Sequence, residues 1–93
     1  MTFDIQDNQQ KSQYETTVDG SVAFAAYDLE PENRIVFTHT IVPEELSGRG
    51  IAQALAKHAL DDARARNLTV VPQCAFIAAY IKRHPEYEEL LQK

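Results

Sequence analysis

At Pro43 the periodicity of this sequence changes. Before it, from Arg34 to Val42, residues alternate in twos: Ile35, Phe37, His39 and Ile41 on one face, Val36, Thr38, Thr40 and Val42 on the other. That is the pattern of a β-strand. After it, from about Gly48 to Arg66, the period is helical. Ile51, Ala52, Leu55, Ala56, Ala59, Leu60 and Ala63 make a wide apolar face, while Gln53, Lys57, Asp61 and Arg64 line the opposite stripe. Asn67 suits the end of that helix, and Leu68-Thr69-Val70-Val71 is a short apolar strand stopped by Pro72. Strand, helix and strand in this order make a βαβ unit, whose two strands run parallel with a right-handed crossover.

Upstream, the pattern predicts an antiparallel meander. Residues 11 to 18 alternate loosely and are rich in Thr and Tyr; Asp19-Gly20 then supplies the dipeptide of a two-residue hairpin turn. Ser21 to Leu29 is the returning strand, and Glu30-Pro31-Glu32-Asn33 is a second turn. A short strand near Phe3 to Gln6 is expected to precede them. Downstream, a second helix is predicted from about Cys74 to Arg83, and Pro85 opens a last turn through Tyr87, Leu90 and Leu91. A meander feeding a βαβ unit gives an α+β fold, a mixed sheet packed by helices. At 93 residues, with 44% hydrophobic and 25% charged, residues 1–93 read as one globular domain.

Charge and cysteine content narrow the partners and the compartment. Fourteen acidic against nine basic residues give a net charge of −5, which argues against nucleic acid or anionic lipid as partners. No apolar run is long enough to span a membrane. The first seven residues lack both the basic start and the apolar core of a signal peptide. A single cysteine fits a reducing compartment, so the expected location is cytoplasmic and the expected state a monomer.

Chemistry concentrates at the strand-to-helix junction, Glu44-Glu45-Leu46-Ser47-Gly48-Arg49-Gly50-Ile51-Ala52. Two glycines two apart free the backbone for close approach to a ligand, and the first helix amides then point outward with the positive dipole end behind them. Such a junction holds phosphate or pyrophosphate without net basic charge, and Arg49 can add a charge-assisted contact. The alternative is a tight turn with a helix cap by Ser47. The segment is neither a P-loop nor a complete dinucleotide fingerprint.

Cys74 follows Pro72 and opens the predicted second helix, where the dipole lowers a thiol's pKa; the competing reading is a small buried apolar residue. His39 is either a core-edge histidine with one hydrogen bond or a general base of suitable pKa. Glu44 or Glu45 acting through a water could be that base instead. His58 reads as a surface or packing residue, and His84 as the end of the second helix. Lys82 and Arg83 read as a solvated pair, or as a contact to a phosphate. The histidines and Cys74 lack metal-ligand spacing, so no metal is expected.

Four segments in this order, His39-Thr40-Ile41-Val42-Pro43, Gly48-Arg49-Gly50-Ile51-Ala52 with Leu55, Val71-Pro72-Gln73-Cys74-Ala75-Phe76 and Tyr80-Ile81-Lys82-Arg83-His84-Pro85-Glu86-Tyr87, resemble the small single-domain branch of the GNAT superfamily of N-acetyltransferases. The resemblance covers roughly residues 12 to 91. Gly48-x-Gly50 matches the end of the superfamily's Q/R-x-x-G-x-G/A loop, whereas Glu45 stands at the Q/R position and carries no pyrophosphate role. The resemblance implies acetyl-CoA in a cleft where strands 34–42 and 68–71 part. Its pantetheine would pair near Ile41 and Val42, and its pyrophosphate would rest on amides from Ser47 through Gly48, Arg49, Gly50 and Ile51 to Ala52. The thioester would sit near His39 and Cys74, with Cys74 as nucleophile or proton donor and His39 as base. The implied activity is acetyl transfer to a primary amine of a small molecule or protein. The branch lacks the N-terminal helices with which larger relatives recognise acceptors, so the acceptor stays open. A CoA-binding module without turnover and a plain interaction domain are the competing functions.

Overall fold

In the computed structural model, which describes residues 3–91, the chain builds a five-stranded sheet whose strand order follows chain order. Strands β1 (Gln6–Asn8), β2 (Gln13–Val18), β3 (Ser21–Glu30) and β4 (Arg34–Ile41) are antiparallel neighbours. Helix α1 (Ile51–Ala65) crosses to β5 (Thr69–Pro72), which pairs parallel to β4. Helix α2 (Ala75–Arg83) follows, and short 3-10 helices occupy Glu44–Leu46 and Pro85–Leu90. The expected α+β class and mixed sheet are thus present. The first strand lies at Gln6–Asn8, a few residues later than its expected place near Phe3 to Gln6.

Turn chemistry holds the meander in register. Asp19 and Gly20 have φ of 51° and 80°, the left-handed pair whose twist matches a two-residue hairpin. At the other end of α1, Asn67 takes φ of 57° and donates its amide to the Arg64 carbonyl, while Leu68 donates to Ala63 at 2.9 Å. A left-handed residue there stops the helix and turns the chain into β5.

The core lies on one face of the sheet. Ile35, Phe37 and Val70 meet Leu55 and Leu60 of α1 and Ile77 of α2, all fully buried. Each such side chain stabilises the fold by about 1.5–3 kcal/mol through its removal from water. Asp61, placed by periodicity on the solvent stripe of α1, is half-buried instead. Its Oδ1 accepts from the Tyr87 hydroxyl at 2.7 Å, because the last turn folds back over the helix.

The expected faces of β4 need correcting. Strict alternation puts His39 and Ile41 on the core face with Phe37, but β4 carries a bulge. Phe37 pairs with Tyr27 and His39 with Ala26, leaving Thr38 as the extra residue. Beyond a bulge the alternation resets. Thr40, opposite the buried Ala25, therefore faces the core side, while His39 and Ile41 face the opposite, helix-free side with Phe24. The rings of Phe24 and His39 confirm it, meeting edge-on at 6.0 Å.

Candidate functional site

Parallel pairing between β4 and β5 stops at Phe37 and Pro72. Proline has no amide to continue the ladder. The Gln73 amide donates to Val71, and the Cys74 amide to the Phe37 carbonyl at 2.8 Å, which turns the chain out of the sheet into α2. From Thr38 to Ile41, β4 thus runs past the end of β5, with that edge free of a strand partner among the described residues. An unpaired strand edge offers amides and carbonyls to an extended ligand.

Beyond this edge the chain makes a cavity of about 450 Å³, lined by Val42, Leu46, Ser47, Gly48, Gly50, Ile51, Ala52 and Gln53. Gly48 and Gly50 have φ of 81° and 79°, and among the described residues nothing beyond their chain neighbours lies within 4 Å of where a Cβ would stand on either. Glycine is needed for the left-handed backbone, and its bareness leaves the space in front of the loop open. Gly50 caps α1, its carbonyl accepting from the Ala54 amide at 3.0 Å, and no side chain caps the helix. Ser47 ends the preceding 3-10 turn rather than capping α1. The amides of Ile51, Ala52 and Gln53 find no protein acceptor among the described residues, so three donors and the positive end of a fifteen-residue helix face the cavity.

Of the expected cofactor residues, Val42, Ser47, Gly48, Gly50, Ile51 and Ala52 line this cavity. Ile41 precedes it on the free strand edge. The Arg49 side chain turns away, its Nη1 donating to Asp19 Oδ2 at 2.8 Å on the β2–β3 hairpin. Exposed pairs of this kind contribute about 0–1 kcal/mol, so a phosphate can compete for the guanidinium. Glu45, the departure from the loop pattern, accepts from the Ser21 hydroxyl at 2.8 Å, which holds its carboxyl below the usual carboxylate range.

Cys74 is buried at the first turn of α2, with its Sγ 3.4 Å from the Thr40 hydroxyl. The bulge makes this contact by turning Thr40 to the core side. His39 is exposed on the other side of the same strand, its Nδ1 3.2 Å from the Thr38 hydroxyl. The two expected catalytic residues therefore flank one strand from opposite faces. A group lying along the free edge of β4 can be reached from either.

Sequence reasoning missed Thr40, Leu46 and Gln53. Gln53 was legible, since its amide is the third of the helix. Thr40 was not, because nothing local marks a partner 34 residues away. His84 does end α2, its Nδ1 lying 2.9 Å from the Tyr80 carbonyl and its ring stacked on Tyr80 at 4.0 Å. His58, Lys82 and Arg83 are exposed. Among the described residues no group of three His, Cys, Asp or Glu side chains is placed to hold a metal ion, and no helix is long and apolar enough to cross a membrane.

A strand parting from its parallel neighbour beside a glycine-built helix N-terminus defines the acetyltransferase fold class, and residues 13–90 match the family of GCN5-related N-acetyltransferases. The chain belongs to that family. Protein NATD1 of mouse is 33% identical over 92 residues, covering 95% of this chain and 84% of its own length. The human NATD1 is 32% identical over 92 residues, covering 95% and 81%. A GCN5-like protein from Staphylococcus aureus shares the fold with a TM-score of 0.75 at 24% identity, over 97% of this chain and 88% of its own. A ribosomal-protein-alanine N-acetyltransferase from Brucella melitensis gives 0.50 at 21% identity, over 91% and 67%.

Proposed function

We propose that the protein binds acetyl-CoA and transfers its acetyl group to a primary amine. The observation that carries this reading is the junction itself: unpaired amides of Ile51, Ala52 and Gln53 open onto a cavity that runs to the free edge of β4, where a buried thiol waits. The pyrophosphate rests on backbone from Ser47 to Ala52, with Arg49 swinging from Asp19 to meet it. The pantetheine amides pair with β4 near Ile41 and Val42, in the place a longer β5 would have taken. This brings the thioester level with Thr40 and Cys74.

Two chemistries fit Cys74. As nucleophile, the thiolate attacks the thioester carbonyl, CoA leaves as its thiolate, and the acetyl group passes from sulfur to the amine. As acid, the thiol protonates the departing CoA while the amine attacks directly. In both, His39 removes the acceptor's proton from the opposite face. The active unit is a metal-free monomer in the cytoplasm, a location the lone free thiol supports.

Mass spectrometry after incubation with acetyl-CoA separates these routes. A gain of about 42 Da, one acetyl for one hydrogen, that Cys74→Ser abolishes and an added amine removes establishes the covalent route. Turnover lost in Cys74→Ser with no adduct on the wild type establishes the acid. Undiminished turnover in Cys74→Ser makes Cys74 a packing residue. CoA binding with no acetyl transfer to any amine tested means a binding module, and no CoA binding refutes the reading.

A further inference from the structure

Both helices lie on one face of the sheet, and among the described residues no helix covers the other face where it adjoins the proposed thioester. Strand register sets its residues in two rows: Glu15, Phe24 and Ile41 across β2, β3 and β4, and beside them Gln13, Ala26 and His39. Val22 and Ile41 are 43% and 47% exposed and Phe24, paired with Ile41, is half-buried, so this face presents apolar side chains to water. Glu15 is the ordered charge at its far side. The side-chain amides of Asn8 (Nδ2) and Gln13 (Nε2) both donate to Oε1, at 3.1 and 2.7 Å, leaving Oε2 without a protein partner among the described residues. The remaining charges of this face among the described residues are Asp4, which shares a cavity with Glu15, and Asp28, Glu30 and Arg34, of which the last two pair at 3.4 Å; acidic Glu44 and Glu45 follow the end of β4. The surface is net negative and asks for a cation.

Two strand spacings and one two-residue step put the Glu15 and His39 Cα atoms roughly 12 Å apart. That is too far for one ammonium to meet both side chains closely, and close to three or four residues of extended peptide. Glu15 borders only a small cavity of about 200 Å³ with Asp4, Gln6 and Thr17, below the roughly 300–1,000 Å³ of small-molecule sites.

We propose that the sheet face around Phe24, His39 and Ile41 docks a protein acceptor in extended form, with its reacting amine at His39 and a second basic side chain, three or four residues away, received by Glu15. The proposal rests on the acetyltransferase reading for its chemistry, but docking can be measured without turnover. The acceptor's aliphatic stems cover Phe24 and Ile41, and the carboxylate of Glu15, already oriented by two amides, accepts from the second cation.

The test titrates isotope-labelled full chain with two otherwise uncharged decapeptides, one with Lys and an Arg three residues on, the other with Gln in place of that Arg. Amide shifts should cluster at Glu15, Phe24, His39 and Ile41, with the Arg peptide bound about tenfold tighter, or about 1.4 kcal/mol. Glu15→Gln should erase that difference while calorimetric CoA affinity stays unchanged, and Phe24→Ala should weaken both peptides. Shifts centred elsewhere, equal affinities for the two peptides, or a linear polyamine bound here more tightly than either would overturn the proposal. Peptide docking at this face with no CoA binding would support the docking surface and refute the enzyme reading instead.

Discussion

Gly50 and Gly20 make a matched pair at the scale of single residues. Both take left-handed backbone, with φ of 79° and 80°, and both have open space where a Cβ would stand. Alanine at either position should cost about 1–2 kcal/mol of stability through the same strain. Only Gly50 borders the cavity, so Gly50→Ala alone should lower CoA affinity, by tenfold or more, because its methyl group stands where the pyrophosphate approaches. Thermal unfolding and calorimetry on both variants check this. Equal loss of affinity in the two would mean the loop does not hold the ligand. The junction was readable at this level because its chemistry is backbone chemistry, written in adjacent residues. The engagement of Arg49 by Asp19 was not, since the hairpin that presents Asp19 is thirty residues away.

Among the elements, β4 does the most with one extra residue. Thr38 bends the strand and its hydroxyl leans on the Ala26 carbonyl at 3.4 Å. Deleting Thr38 should straighten β4 and let its far end approach β5. The free edge then narrows, and CoA affinity should fall at least tenfold in a protein that still folds. Retained affinity in the deletion variant, measured by calorimetry, would show that the end of β5 suffices to open the edge. Helix α1 offers a second prediction. The Tyr14 hydroxyl donates to Asp62 at 2.5 Å, and Arg66 bonds the same carboxylate at 3.3 Å. Tyr14→Phe should destabilise the fold by about 1–3 kcal/mol in denaturant unfolding, by leaving Asp62 short of a donor beneath the helix. The bulge was invisible to periodicity because Thr38 and its neighbours alternate without interruption; only pairing with β3 makes one residue surplus.

Across the whole molecule, three tyrosines fasten the elements together: Tyr14 to Asp62, Tyr27 to Asp7 and Tyr87 to Asp61. Burial, then the hydrogen bond each donates to its carboxylate, pushes all three hydroxyls above their ordinary value of 10.0. Their contribution is complete below pH 10.0 and is lost above it, as the unfolded tyrosines ionise and the folded ones resist, until pH passes the folded values. The melting temperature should therefore fall steadily above pH 10, and tyrosinate absorbance should rise together with unfolding rather than before it. Ionisation of these three tyrosines ahead of unfolding would contradict this.

Short-range order can be read from the residues alone: the strand and helix periods on either side of Pro43, the left-handed Asp19-Gly20 and Asn67 turns, the parallel crossover and the glycine junction. Each is set within a few residues by backbone sterics and by apolar spacing. Tertiary structure alone decided which face His39 presents, which hydroxyl meets Cys74 and where Arg49 points. Those depend on pairing between strands and packing across a sheet, where one surplus residue resets every side chain after it.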